Sequence, residues 1–137
     1  MKRLLSLILV LVIVFATACP ALAAESEPPI SPMYTYISKM SASLSINSST
    51  GISTSISSCI MSGASSIKVV CKLQRYNGSS WTTVKTWSAT GTSSASIAES
   101  WAVYSGYTYR AYVTCSVYNS SGVLVESGNC YSNQVTY

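Results

Sequence analysis

The chain has no histidine and no aspartate, and only 9% of its 137 residues are charged. These absences remove nearly every Ser-His-Asp arrangement, most catalytic zinc sites and the Asp-rich calcium loops. Glutamate is the only carboxylate, and Glu25 and Glu27 fall among the prolines near the start of the chain. Glu99 and Glu126 are then the sole candidates for a glycosidase-like acid and nucleophile. Both stand near expected strand ends, where a solvated charge is the ordinary reading. A serine activated by a lysine would need an elbow or a Gly-rich oxyanion loop to single it out, and no serine here has one. The chain therefore reads as non-enzymatic, with no cofactor. Phenylalanine occurs once, at Phe15, so the aromatic content of the domain is Tyr and Trp.

What is present starts with a targeting pattern. Met1-Lys2-Arg3 leads into an apolar run from Leu4 to Phe15, and Ala21-Leu22-Ala23 supplies small residues at a cleavage site. This order predicts a helical signal peptide over 1–23, cleaved after Ala23, and a secreted, extracellular product that meets the membrane only before cleavage. An uncleaved anchor would need about 20 apolar residues, and Pro20 interrupts this run. Lipidation at Cys19 would ask for a large aliphatic where Ala16 stands. Cleavage leaves 114 residues, enough for one domain with one core. Pro28, Pro29 and Pro32 make 24–33 a flexible leader, and the domain spans 34–137.

Beyond residue 23 the charges are six cations (Lys39, Lys68, Lys72, Arg75, Lys85, Arg110) against four glutamates. No basic run supports nucleic-acid binding. Four cysteines remain, Cys59, Cys71, Cys115 and Cys130, which allow three disulfide connectivities in an exported protein. Their spacing is not that of metal ligands, and in a source without oxygen they would stay as thiols.

Period-two alternation dominates from Tyr34 onward, with no helical stripe. Ala42, Leu44 and Ile46 oppose Ser41, Ser43 and Ser45 in a half-buried strand that ends at the turn Asn47–Gly51. Ile52 to Met61 forms the second strand. In the third, Ile67, Val69, Cys71 and Leu73 point inward and Lys68, Val70, Lys72 and Gln74 outward. Asn77-Gly78-Ser79-Ser80 is a hairpin signal. A four-residue loop there sets Tyr76 opposite Trp81, Leu73 opposite Val84 and Lys72 opposite Lys85. Thr92 to Glu99 is Ser-rich. Arg110 to Tyr118 alternates Ala111, Val113, Cys115 and Val117 against Arg110, Tyr112, Thr114 and Ser116. Asn119–Gly122 turns the chain into Val123–Glu126, and after Ser127-Gly128-Asn129 a stretch from Cys130 closes it. Asn47, Asn77 and Asn119 match the glycosylation pattern but read as turn residues. Seven or eight short strands with a turn about every ten residues predict an all-β, two-sheet antiparallel sandwich.

Gly106-Tyr107-Thr108-Tyr109 resembles the G-x-x-Y that opens strand F of fibronectin type III domains, which implies a tyrosine corner at Tyr109. The pattern Leu73 to Trp87, with Ser105 to Arg110 after it, resembles an uncharacterised family of small secreted proteins of Gram-positive bacteria. That resemblance implies an immunoglobulin or fibronectin type III-like sandwich and an extracellular location, and no activity. Val113-Thr114-Cys115 departs from the Tyr-x-Cys of immunoglobulin domains. With the usual strand order, Cys71 and Cys115 would be inward-facing neighbours able to bond.

The expected function is a non-catalytic binding or adhesion module. Its alternatives are a carbohydrate-binding module and a structural protein that self-associates through unguarded edges. Parity gathers Lys68, Lys72, Lys85 and Arg110 with Tyr112, Trp81 and Trp87 on one outer face, a candidate surface for a polyanionic extracellular polymer or a protein. If the return strand bends, one of these two Trp residues folds over the core edge instead. Trp101 reads as core, with Val103 beside Tyr109.

Overall fold

β-branched, small and tyrosine side chains alternating at period two favour extended chain, and no proline follows Pro32 to interrupt it. The computed structural model describes residues 33–137. The signal peptide expected at 1–23 and all of the expected leader except Met33 lie outside the described residues. Eight strands follow: β1 (Ile37–Asn47), β2 (Ile52–Met61), β3 (Ser66–Tyr76), β4 (Trp81–Gly91), β5 (Ser94–Ala102), β6 (Thr108–Tyr118), β7 (Leu124–Tyr131) and β8 (Val135–Thr136). They form two antiparallel sheets packed as a sandwich. One has the order β1-β2-β5 and the other β4-β3-β6-β7, with β8 paired to the start of β6.

The turns use one device. Side-chain oxygens of Asn47, Asn77 and Asn119 accept backbone N–H groups from Ser49 and Thr50, Ser79 and Ser80, and Ser121 and Val123. The core lies between the sheets. The inner faces of β3 and β6, from Ile67 to Leu73 and from Tyr109 to Val117, are almost entirely buried. Their alternation is the one the sequence shows.

Strand β2 inverts the usual pattern. Ser53, Ser55 and Ser57 have no exposed surface, while Ile52, Ile56 and Ile60 are 39%, 51% and 41% exposed. Cys59 and Met61 fix this parity, because both are buried on the same face as the serines. A one-residue slip would bury the isoleucines and expose Cys59 and Met61. Ser53 Oγ donates to the Trp101 carbonyl at 2.7 Å. Ser55 Oγ has no partner, and Ser57 meets only the weakly bonding Cys71 thiol.

Strand β4 departs from the expected register. Tyr76 faces Trp81 and Gln74 faces Thr83, but the next pair is Leu73 with Lys85, so Val84 is an extra residue in a bulge. Lys72 therefore faces Thr86, not Lys85. The physical reason is the odd spacing from Val84 to Trp87. No regular strand can turn both inward, and the bulge lets Val84, Trp87 and Ala89 all pack on the core.

Strand β7 runs straight through Ser127-Gly128-Asn129, where the sequence shows a break between Val123–Glu126 and a final stretch from Cys130. Gly128 is glycine because another chain segment lies against it. A Cβ there would come within 2.6 Å of the Tyr34 hydroxyl and 2.9 Å of the Met40 methyl.

Candidate functional site

The outward residues of β4, β3, β6 and β7 build a continuous ladder of rings and one guanidinium. Tyr76 and Trp81, register partners across the β3–β4 hairpin, have ring centroids 5.2 Å apart. Arg110, on β6, places its guanidinium carbon 4.1 Å from the Trp81 ring centre and 4.3 Å from that of Tyr131 on β7. Tyr131 in turn lies 5.0 Å from Tyr112, its partner in register. Arg110 Nε donates to Gln74 Oε1 at 2.9 Å, which fixes the guanidinium plane between the two rings. Nε is thereby satisfied, and the four Nη hydrogens of the fork remain to meet a ligand. Tyr131 is 53% exposed and Tyr76 37%, so the ladder is a surface and not a buried cluster.

Lys72 pairs in register with Tyr112, and Lys68 with Ser116, on the same outer face. From the Lys68 row to the Gln74–Arg110 row is six residues of β3, about 20 Å along the strands. Among the described residues, neither glutamate lies on this face. Glu99 is an exposed residue of β5 in the other sheet. Glu126, on β7, turns both carboxylate oxygens to the N–H groups of Thr35, Tyr36 and Ile37 at 2.6–2.9 Å. Desolvation would raise its carboxyl, but these three donors outweigh it and hold the group below the usual carboxylate range. The two glutamates occupy different sheets, and both carboxylate oxygens of Glu126 are engaged by backbone N–H groups.

The structure thus brings together Lys68, Lys72, Arg110, Tyr112 and Trp81 as parity predicts, and removes two residues from the expected face. The bulge turns Trp87 inward, where it is half-buried opposite Cys71. It also swings Lys85 to the sandwich edge, with Nζ 4.0 Å over the ring of Trp101. Trp101, expected in the core, is 43% exposed, because β5 beyond Ile97 runs past the cover of the opposite sheet. A second stack, Arg75 over Tyr107 at 4.5 Å, lies near the same end. Tyr131 and Gln74 went unrecognised as site residues. Reading β7 as continuous through Gly128 would have set Tyr131 beside Tyr112.

The remaining expected residues are structural. Tyr109 is 1% exposed; its hydroxyl donates to the Tyr104 carbonyl at 2.8 Å and accepts the Tyr104 N–H at 3.2 Å. Gly106 has φ of 86°, a left-handed conformation that suits the corner. Cys71 and Cys115 both point into the core, but the thiol that touches Cys115 belongs to Cys59. Among the described residues, no cluster of Cys and Glu side chains has an arrangement able to hold a metal ion. No family model, curated protein or solved structure matches the chain.

Proposed function

We propose that this chain is a secreted, non-catalytic binding module with a fibronectin type III or immunoglobulin-like sandwich, whose outer four-stranded face takes a polyanionic extracellular polymer. The N-terminal pattern of charge, apolar run and small residues supports export. The strand order β1-β2-β5 against β4-β3-β6-β7, with Tyr109 at the start of β6, supports the fibronectin-like reading.

The observation that carries the function is Arg110 held between Trp81 and Tyr131 on a face that has Lys68 and Lys72 and no carboxylate. A guanidinium fixed before binding loses little freedom when it forks onto a carboxylate, sulfate or phosphate. The flanking rings offer stacking surface to sugar units between the anionic groups. Lysines in a column along the strands suit a linear polymer lying parallel to them.

The test is retention on immobilised heparin and polygalacturonate, with neutral dextran as control, over a salt series. Retention on the acidic polymers should fall steeply with salt, since exposed charges are screened over about 8 Å at physiological ionic strength. Lys72→Glu with Arg110→Gln should abolish it, while Lys85→Glu, whose ammonium lies off this face, should leave it unchanged. Equal retention on dextran would favour a neutral carbohydrate ligand. Retention untouched by the double substitution would overturn the assignment of this face.

The second reading, self-association, is favoured by the other outer face. There Ile52, Ile56 and Ile60 form an exposed stripe flanked in register by Asn47, Ser43 and Lys39 on β1 and by Ala102, Ala98 and Ser94 on β5. Sedimentation velocity over a hundredfold concentration range separates the two readings.

A further inference from the structure

Cys59, Cys71 and Cys115 are fully buried, and Cys130 packs against the same cluster of core residues. Register decides which of them can bond. Cys71 and Cys130 flank Val113 on either side, one from β3 and one from β7. Two strand spacings separate them, about 9.6 Å. Cys71 and Cys115 are diagonal: Cys115 faces Val69, and Cys71 faces Val113. Cys115 and Cys130 are diagonal too, facing Gly128 and Val113. Diagonal neighbours stand about 7–8 Å apart, at or past the roughly 7 Å limit between Cα atoms for a disulfide. Within the four-stranded sheet, no pair is well placed.

Cys59 comes from the other sheet. On β2 it stands between Met40 of β1 and Ala95 of β5, and in the core cluster it shares with Cys115 its thiol meets that of Cys115 across the sandwich. We propose that Cys59 and Cys115 are joined by a disulfide that bolts β2 to β6 and so one sheet to the other. It stands toward the far end of β6 from the Tyr109 corner. In forming it, the two thiols lose two protons and two electrons to an external disulfide, either a small molecule or an oxidoreductase, which is reduced to two thiols. Since neither sulfur is exposed, the exchange belongs to folding, before the sheets close. Cys71 and Cys130, both raised by burial, stay as thiols.

The experiment refolds the exported form, residues 24–137, in a mixture of reduced and oxidised glutathione, traps free thiols with iodoacetamide, and measures intact mass. The product should be about 2 Da lighter than the reduced protein before trapping and should carry two alkylated cysteines. Trypsin alone leaves Cys115 and Cys130 on one peptide, so a Glu-specific protease is added to cut after Glu126. The linked peptides should contain Cys59 and Cys115. The oxidised form should melt about 10 °C above the reduced one. Cys71→Ser with Cys130→Ser should keep the bond and the shift, whereas Cys115→Ser should lose both. Four alkylated cysteines after oxidative refolding, or a linked peptide containing Cys71 or Cys130, would overturn the proposal.

Discussion

At Ser55 a hydroxyl with no partner sits in the middle of the sandwich. Leaving a buried polar group unsatisfied costs about 1–3 kcal/mol, and replacing the group by an apolar one removes that cost. Ser55→Ala should therefore stabilise the domain by about 1 kcal/mol, seen as a higher urea midpoint at unchanged slope. Tyr109 is the opposite case. Tyr109→Phe should destabilise by about 1–2 kcal/mol, because the Tyr104 carbonyl and N–H both lose the hydroxyl. The corner was legible because it follows from a local spacing, Gly106 to Tyr109. Arg110 and Trp81 were legible by parity. Tyr131 was not, because a glycine that fits under Tyr34 looks the same in sequence as a glycine that makes a turn. Ser55 was equally hidden, since alternation says that one face of β2 differs from the other without saying which is inside.

Strand β4 shows how far alternation carries and where it fails. The hairpin register is right from Tyr76–Trp81 to Gln74–Thr83 and wrong from Val84 onward, because one strand had to serve two incompatible apolar parities. Deleting Val84 should accordingly be tolerated: Lys85 already faces Leu73 and Trp87 already faces Cys71, so the ladder closes without a shift. The expected loss is about 1–2 kcal/mol for the partly buried valine, with heparin retention unchanged. Strand β1 is held at its start by a different means, the Glu126 carboxylate on three N–H groups. Because the folded carboxyl titrates below its unfolded value, this contribution is complete above about pH 4.3 and is lost as pH falls through the lower folded value. The melting temperature of the parent should drop more between pH 5 and pH 2.5 than that of Glu126→Gln. An equal drop in both would remove Glu126 from the account.

The described domain, residues 33–137, has two unlike outer surfaces, one cationic and ringed, the other nearly uncharged with an isoleucine stripe. Ile56→Lys on the second should change folding stability by less than about 1 kcal/mol, because the side chain is half exposed, and should abolish any concentration-dependent sedimentation. The sandwich and the sheet membership of β3, β4 and β6 were readable because they rest on patterns repeated along whole strands. Which cysteines meet was not, because that depends on how the two sheets face each other, and no strand encodes it alone. The fastening of the described domain at its two ends has a mechanical consequence. Residues 35–37 are fastened beside Glu126, where β1 begins opposite Met61. Tyr137 is fastened at the other end, to Gly106 and Tyr107, with its ring against Gly51 beyond the far end of β1. Tension applied between these points runs along the strands over the length of β1, about 36 Å. The β1–β2 hydrogen bonds are then loaded in shear, all at once, instead of being unzipped singly, and a domain pulled from its two ends resists stretching far better than one peeled from an edge.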